Sequence, residues 1–331
     1  MLTVQTDHTD RCDGHGHNHA HGPGGHVHGA TSGPMLWVSL FITVAFVIGE
    51  AIAGYLAHSL ALMSDAGHNL SDALALGLAA YAVWIAKKPP NAKRTFGYHR
   101  VGILTALFNA VTLVAIGLLV LVQAFSLWRH PQQVNGTLML WVAAIAVLMN
   151  TVIAVLLQGG AKESINIRAA FVHMAGDALS SLAVVIAGLI VMKTGWPYAD
   201  PVVSVLIAVF ILYTSVGIVR DAADVLLEGT PRNLEVEKVA EALRRVAGVE
   251  SVHDLHAWTV ADGMHYLSCH IVVHDGCTMP ACSRIIQEAN EVLSHTFQIA
   301  HATIQIELHG DCVTTAHQNP LFCGESAPSQ A

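Results

Sequence analysis

Six long apolar segments constrain this chain more than any other feature of its sequence. They lie at residues 35–57, 60–86, 101–127, 138–157, 169–192 and 201–219. About 20 consecutive apolar residues are enough for a helix to cross the hydrocarbon core of a bilayer. Only 12% of the residues are charged, which is about half the fraction found in soluble domains. The sequence therefore predicts an α-helical membrane protein with six transmembrane helices in residues 34–219.

Basic residues accumulate in the links on one side of these segments. The second link contains Lys87, Lys88, Lys93, Arg94 and Arg100, and the fourth contains Lys162 and Arg168. The alternate links contain one basic residue or none. Because cytoplasmic links are enriched in Lys and Arg, we expect both termini to be cytoplasmic. Without an organelle-targeting signal, a bacterial inner membrane is the expected location.

Two apolar segments carry the same pair of polar residues at the same spacing. His68 and Asp72 lie four residues apart in the second segment, and His173 and Asp177 repeat this spacing in the fifth. Residues i and i+4 share one face of a helix. The two helices run in opposite directions, and each pair lies about 12–18 Å deep, near the bilayer midplane. Two imidazoles and two carboxylates form a tetrahedral ligand set, so we predict a divalent-metal site there.

Other acidic residues in the apolar segments allow two interpretations each. Asp65 lies about one turn before His68 and either lines the metal path or caps its helix. Glu50 either lines a water-filled cavity or forms a hydrogen bond between helices. Asp200 directly precedes Pro201 and is expected to cap its own helix.

The two ends of the chain have the composition of flexible tails. Residues 1–33 have almost no apolar side chains to bury, which predicts a disordered cytoplasmic tail. Its histidines are candidate low-affinity metal ligands and include His15, His17, His19, His21, His26 and His28. Residues 311–331 are expected to be a flexible C-terminal tail. The six cysteines form no CxxC motif, and their pattern does not resemble a secreted disulfide framework.

Residues 220–310 have the pattern of a small soluble domain. Amphipathic helices are predicted at 233–247 and 280–297, and strands at 249–260, 264–273 and 302–308, with a turn at 261–263. This α-β-β-α-β order predicts two helices packed on one face of a three-stranded sheet. Regular strand alternation places His253 and His256 on opposite faces of that sheet.

Four motifs together resemble the cation diffusion facilitator family, in its zinc-exporting branch. They read LMSDAGHNLSD at 62–72, FGYHR at 96–100, HMAGD at 173–177 and VHDLHAW at 252–258. The resemblance covers about residues 35–310. It implies six spans with a C-terminal cytoplasmic ferredoxin-like domain and a homodimer that exchanges divalent metal for protons. It also implies that His68, Asp72, His173 and Asp177 form the transport site.

The same resemblance implies two features outside the membrane. His253, His270 and Glu307 match positions that bind zinc in the cytoplasmic domain of relatives, whereas Gln305 stands where some relatives have a histidine. A complete binuclear site is therefore not implied. Arg100 and Glu228 stand where relatives form a charge pair near the inner membrane surface.

The function predicted from these features is export of divalent metal, with Zn²⁺ favoured and Cd²⁺ or Co²⁺ tolerated. A mixed His and Asp site suits zinc, whereas an all-carboxylate site would favour manganese or iron. A membrane metalloenzyme would need an open coordination position and a general base, as in His-Glu-xx-His, and this motif is absent from the sequence. A membrane-bound metal sensor or store without transport is the remaining alternative. No basic patch suited to nucleic acid is present.

Overall fold

The computed structural model describes residues 33–158 and 165–308, and contains six long helices in the first part of the chain. They are α1 (Gly33–Ala57), α2 (Leu60–Ala86), α3 (Val101–Arg129), α4 (Gly136–Gln158), α5 (Ile165–Thr194) and α6 (Ala199–Leu226). Within the described residues, α2 to α6 are each long and apolar enough to cross a membrane, and α1 contributes the apolar stretch Thr43–Ala57. The prediction of a multi-pass helical membrane protein is confirmed. The predicted N-terminal and C-terminal tails, with their candidate metal ligands, lie outside the described residues.

Helix α2 has neighbours on several sides in the bundle. It packs against α1, α3 and α6 and also reaches α5, while α4 runs along α5 and α3 runs along α6. Glycines allow the α4 and α5 backbones to approach closely, because a Cβ atom on Gly136 would lie 2.9 Å from the carbonyl oxygen of Gly188. A buried cluster that includes Leu62, Met139 and Val184 fills the space between the helices. Helix α2 is thereby positioned to bring its polar face towards α5.

Helix α6 extends beyond the end of its apolar segment. It runs to Leu226, about two turns past the predicted end at residue 219. The amide of Gly229 donates to the carbonyl oxygen of Asp224 over 2.8 Å, and Glu228 has a left-handed backbone with φ of 61°. Hydropathy marks only the part of a helix that suits lipid, whereas the helix itself ends where its last carbonyls are capped. The boundary at residue 219 therefore falls inside α6.

The second part of the chain is a small two-layer domain. Its elements are α7 (Val236–Arg244), β1 (Val249–Ala261), β2 (Met264–Val273), α8 (Met279–Phe297) and β3 (Ile299–Leu308). The sheet order is β1-β2-β3, with β1 antiparallel and β3 parallel to β2. The core joins helix residues such as Leu243 and Leu293 to strand residues such as Leu255, Leu267 and Ile271. The predicted α-β-β-α-β order is confirmed.

A bulge in β1 changes which face its histidines occupy. His253 pairs with His270 and His256 pairs with Ser268, so three residues on β1 pass two residues on β2. Asp254 supplies the extra residue with a left-handed φ of 50°. Since His270 and Ser268 share one face of β2, His253 and His256 also share a face, the one away from the helices. The prediction that they lie on opposite faces was wrong, because it assumed unbroken alternation.

Candidate functional site

The two His-xxx-Asp pairs meet between α2 and α5. Each histidine Nε2 lies near the aspartate of its own helix and the aspartate of the other helix. The distances are 3.6 Å from His68 to Asp72, 3.4 Å from His68 to Asp177, 3.3 Å from His173 to Asp72 and 3.6 Å from His173 to Asp177. The two imidazole rings are 6.2 Å apart between centroids and nearly perpendicular, at 79°. The four side chains therefore form a closed ring in which imidazoles and carboxylates alternate.

The four imidazole–carboxylate distances in this ring are close to those between ligands of a zinc ion, and the two histidines approach different oxygens of Asp177. A tetrahedral Zn²⁺ with metal–ligand bonds of about 2.0–2.1 Å holds neighbouring ligand atoms about 3.3–3.4 Å apart. The four nitrogen–oxygen distances in the ring span 3.3–3.6 Å. Two carboxylates balance the charge of a dication, and two neutral imidazoles complete a set of four ligands. Among the described residues, the compact group whose ligand atoms all lie within 4.8 Å of one another contains His68, Asp72 and Asp177 but not His173.

Polar contacts on the side of the ring nearer the start of α2 link the helices together. The two hydroxyls of Ser180 and Ser181 lie 3.4 Å and 2.8 Å from Asp65 and donate to its carboxylate. The amide of Asn69 donates to Glu50 Oε2 over 3.1 Å. Asp65 therefore bonds to α5 instead of capping its own helix, and Glu50 forms a hydrogen bond between α1 and α2. The sequence offered no local signal for the two serines.

Two polar atoms of α2 are buried without a hydrogen-bond partner. They are Nδ1 of His68 and the hydroxyl of Ser64, which lies four residues earlier on the same helix. Histidines that bind metals normally donate a hydrogen bond from the second ring nitrogen, which sets the tautomer. Ser64 Oγ is on the same helix face as this nitrogen, one turn away.

Asp200 holds the N-terminal end of α2 from a different helix. Its carboxyl group accepts hydrogen bonds from the Ser59 hydroxyl at 2.5 Å, the Leu60 amide at 2.8 Å and the Ala61 amide at 3.2 Å. All four residues are buried. The expectation that Asp200 caps its own helix was wrong, because its carboxyl group satisfies the free amides at the start of α2. Sequence position alone does not reveal a contact across 140 residues.

A second group of ligating side chains lies on the helix-free face of the sheet. His270 Nδ1 is 2.9 Å from Glu307 Oε1, and His253 Nε2 is 3.2 Å from Glu307 Oε2. The Gln305 amide donates to Glu307 over 2.9 Å. On the other side of His270, Nε2 is 3.4 Å from a carboxylate oxygen of Asp254. The bulge thus brings Asp254 to the edge of a cluster that the sequence assigned to three residues.

The proposed charge pair joins the membrane helices to the link before the sheet domain. Arg100 Nη2 lies 3.1 Å from Glu228 Oε1. Nearby, the Phe96 ring packs edge-on against Tyr266 of β2, with 5.4 Å between centroids. These contacts place the link between α2 and α3 against the sheet.

Comparison with known proteins supports the resemblance to a cation-efflux family that the sequence motifs indicated. Residues 36–227 match the family described as cation efflux transmembrane domain, and residues 231–309 match the cation efflux protein cytoplasmic domain. The chain is 36% identical to a "Cadmium, cobalt and zinc/H(+)-K(+) antiporter" of Bacillus velezensis, over 94% of this chain and 96% of that protein.

Two further relatives show similar coverage. The chain is 36% identical to "Cation efflux system protein CzcD" of Alcaligenes sp., over 95% of this chain and 98% of that protein. It is 34% identical to "Zinc transporter ZitB" of Escherichia coli, over 94% of this chain and 98% of that protein. The chain belongs to the cation efflux, or cation diffusion facilitator, family and to its zinc, cadmium and cobalt branch.

Proposed function

We propose that this protein is a secondary active transporter that exports Zn²⁺ from the cytoplasm in exchange for protons. The observation that carries this proposal is the ring of His68, Asp72, His173 and Asp177 between two membrane helices. A dication in the low-dielectric core needs compensating charge, and two aspartates supply it. A metal site at mid-depth between helices is the arrangement that a transporter requires.

We propose that metal enters the ring from the cytoplasm, and the exposure of the ring side chains supports this direction. His173 and Asp72, the members nearer the inner ends of their helices, are 47% and 26% exposed. His68 and Asp177, nearer the outer ends, are 12% and 6% exposed. Exposure therefore decreases from the side with the basic links towards the opposite side. This gradient supports an inward-facing state in which the site receives metal from the cytoplasm.

The outer side of the ring is closed by the hydrogen bonds of Asp65 and Glu50. Both residues are only 1% exposed, which supports a closed outer side in this state. Release of metal to the outside requires these contacts between α1, α2 and α5 to separate. We propose that Asp65 and Glu50 line the permeation path in the outward-facing state, after their present partners have moved away.

Proton exchange follows from the chemistry of the ligands. Aspartate and histidine bind metal only in their deprotonated forms, so metal entry releases protons and reprotonation releases metal. Histidine titrates near neutral pH, which allows a physiological proton gradient to drive the cycle. We propose that two chains form a dimer in a bacterial inner membrane, with both termini in the cytoplasm.

Transport can be tested with purified protein in proteoliposomes that contain a metal-sensitive dye. We expect zinc to move against its gradient when a pH gradient is imposed, and flux to stop when a protonophore is added. Cadmium and cobalt should also be transported, whereas manganese should remain at the level of protein-free vesicles. Manganese flux equal to that of zinc would contradict the assignment of cargo.

The alternative is a membrane-bound metal sensor or store without transport, and the cluster on the sheet favours it. His253, His270 and Glu307 have ligand atoms within 4.8 Å of one another. The same vesicles distinguish the two functions. A sensor or store binds zinc with no gradient-dependent flux, whereas a transporter with a metal-sensing domain shows both.

The cluster on the sheet leads to a prediction about zinc affinity. Replacing Glu307 with Gln removes the carboxylate that contacts both histidines. We expect zinc affinity at this cluster to fall about 100-fold or more, because loss of a charged ligand exceeds the usual effect of losing an outer partner. Chelator-competition titration in an Asp72→Asn background measures this site separately from the ring. The exposed Glu288→Gln on α8 is the control, and equal affinities for the two variants would exclude Glu307 as a ligand.

The Arg100–Glu228 pair leads to a smaller expected effect. Both side chains are exposed to solvent, so we expect Arg100→Glu to lower the free energy of unfolding by about 1 kcal/mol or less. The combined reversal Arg100→Glu with Glu228→Arg should recover most of this loss. A double-mutant cycle from denaturant unfolding measures the coupling. Strictly additive effects would show that the two charges do not interact.

A further inference from the structure

Two cysteines at the start of α8 lie close together on the side of the domain that carries the helices. The sulfur atoms of Cys277 and Cys282 are 2.9 Å apart. Both side chains are partly buried and pack against the core of the sheet domain. We infer that Cys277 and Cys282 are a peroxide-sensitive dithiol that closes to an intramolecular disulfide. This modification is separate from metal binding at the ring and at the sheet.

The backbone already holds both cysteines in place. The Cys277 amide donates to the carbonyl oxygen of His274, and the Cys282 amide donates to that of Thr278, each over 2.9 Å. The Gly276 amide also donates to Nδ1 of His274 over 3.0 Å. A disulfide requires the sulfurs to approach by about 0.9 Å, to about 2.05 Å. Side-chain rotation can supply this movement without opening the turn, so closure loses little additional chain entropy.

The number of nearby ligands favours a disulfide over a metal site. Structural zinc sites use four protein ligands. Within the described parts of the chain, the compact groups of three or more ligating residues are His68, Asp72 and Asp177, and His253, His270 and Glu307. Neither group includes these cysteines. Two thiols in contact, with no third ligand beside them among the described residues, are the arrangement of a dithiol that is oxidised reversibly.

Cys269 provides an internal comparison. It is buried in the same domain, and burial together with the negative charge of Asp254 raises the pKa of its thiol to about 12. The thiolate is the reactive form, so Cys269 stays protonated and unreactive at neutral pH. The hydrogen bond with Cys282 also raises the pKa of the Cys277 thiol, so the contrast with Cys269 rests on access: Cys277 and Cys282 are partly exposed and open to a small oxidant.

The reaction with hydrogen peroxide is balanced. One thiol loses its proton, and its thiolate attacks a peroxide oxygen, which breaks the O–O bond and gives a sulfenic acid and hydroxide. The second thiolate attacks the sulfenic sulfur, forms the S–S bond and displaces a second hydroxide. The two protons lost by the thiols convert both hydroxides to water. Two thiols are oxidised by two electrons, and one peroxide is reduced to two water molecules.

Peptide mass spectrometry of the full-length protein tests this inference. Cys12, Cys312 and Cys323 are replaced with Ser to leave the three cysteines of the described region. After exposure to peroxide, digestion at Arg284 and beside Asp275 separates the pair from Cys269. We expect the fragment 275–284 to become two hydrogens lighter and to recover both thiols with dithiothreitol, while Cys269 stays reduced.

Two single-cysteine substitutions test whether the two-hydrogen loss requires both thiols. In Cys277→Ser and Cys282→Ser, the remaining thiol should stop at a sulfenic acid that dimedone traps, with no two-hydrogen loss. Two alkylatable thiols in fragment 275–284, at a peroxide dose that oxidises free cysteine, would overturn the inference. Disulfide bonding between two chains would also overturn it. Protection of both thiols from alkylation by one added equivalent of zinc would identify a metal site instead.

Discussion

Replacing Asp72 with Asn will reduce zinc flux in proteoliposomes by about 100-fold or more. Asp72 Oδ2 is the oxygen that both ring histidines approach, at 3.6 Å from His68 and 3.3 Å from His173. The substitution keeps the shape of the side chain but removes one of two negative charges. The remaining Asp177 then leaves a bound dication with an unbalanced positive charge in a low-dielectric environment. Gradient-driven zinc uptake, recorded with an internal dye, measures the loss.

Two controls separate this effect from misfolding. Asp275→Asn changes an exposed carboxylate in the turn before α8 and should transport zinc at the unsubstituted rate. The Asp72→Asn protein should keep its helical circular dichroism and its elution volume in detergent. Zinc flux above one tenth of the unsubstituted rate in a folded Asp72→Asn protein would remove this residue from the transport site.

Replacing Asp200 with Ala will destabilise the membrane domain by about 3 kcal/mol or more. Its carboxyl group accepts hydrogen bonds from the Ser59 hydroxyl and the Leu60 and Ala61 amides, and these groups are buried. Alanine leaves all three donors without this acceptor, and each buried donor left unpaired costs about 1–3 kcal/mol. Unfolding in a denaturant series, followed by tryptophan fluorescence, measures the change.

A graded series distinguishes this capping role from a direct role in metal binding. Asn at position 200 retains one acceptor oxygen, so its stability should lie between those of Asp and Ala. Ser59→Ala removes one of the three bonds and should cost less than Asp200→Ala. Zinc affinity of the folded fraction should stay within a factor of two in all three variants. A large loss of affinity with normal stability would place Asp200 in the metal path.

Local patterns in the sequence were sufficient for the helices and for the candidate ligands. Apolar segments long enough to cross a bilayer predicted the six helices, because hydropathy reflects each residue's own transfer free energy. The repeated His-xxx-Asp spacing identified His68, Asp72, His173 and Asp177, because residues i and i+4 share a helix face in any helix. Counting residues along each segment was then enough to predict that the two pairs lie at the same depth on helices that run in opposite directions.

Features that depend on contacts between distant segments were not predictable in this way. Asp200 lies where a capping residue of α6 is expected, but its carboxyl group accepts hydrogen bonds from the first amides of α2. The left-handed backbone of Asp254 shifts the register of β1, and this single residue moves His253 and His256 to a common face. A one-residue shift in a strand places every following side chain on the opposite face of the sheet, and no local sequence pattern predicts it.

The sequence by itself determined the number of long apolar helices, the order of elements in the sheet domain and the identity of the four ring residues. The tertiary structure alone decided that each ring histidine lies within 3.6 Å of both aspartates, that Asp65 and Glu50 are buried beside the ring, and that Cys277 approaches Cys282. The physical reason is that helix periodicity and hydropathy are properties of neighbours along the chain. Distances between side chains on different elements depend on packing, which the whole fold determines at once.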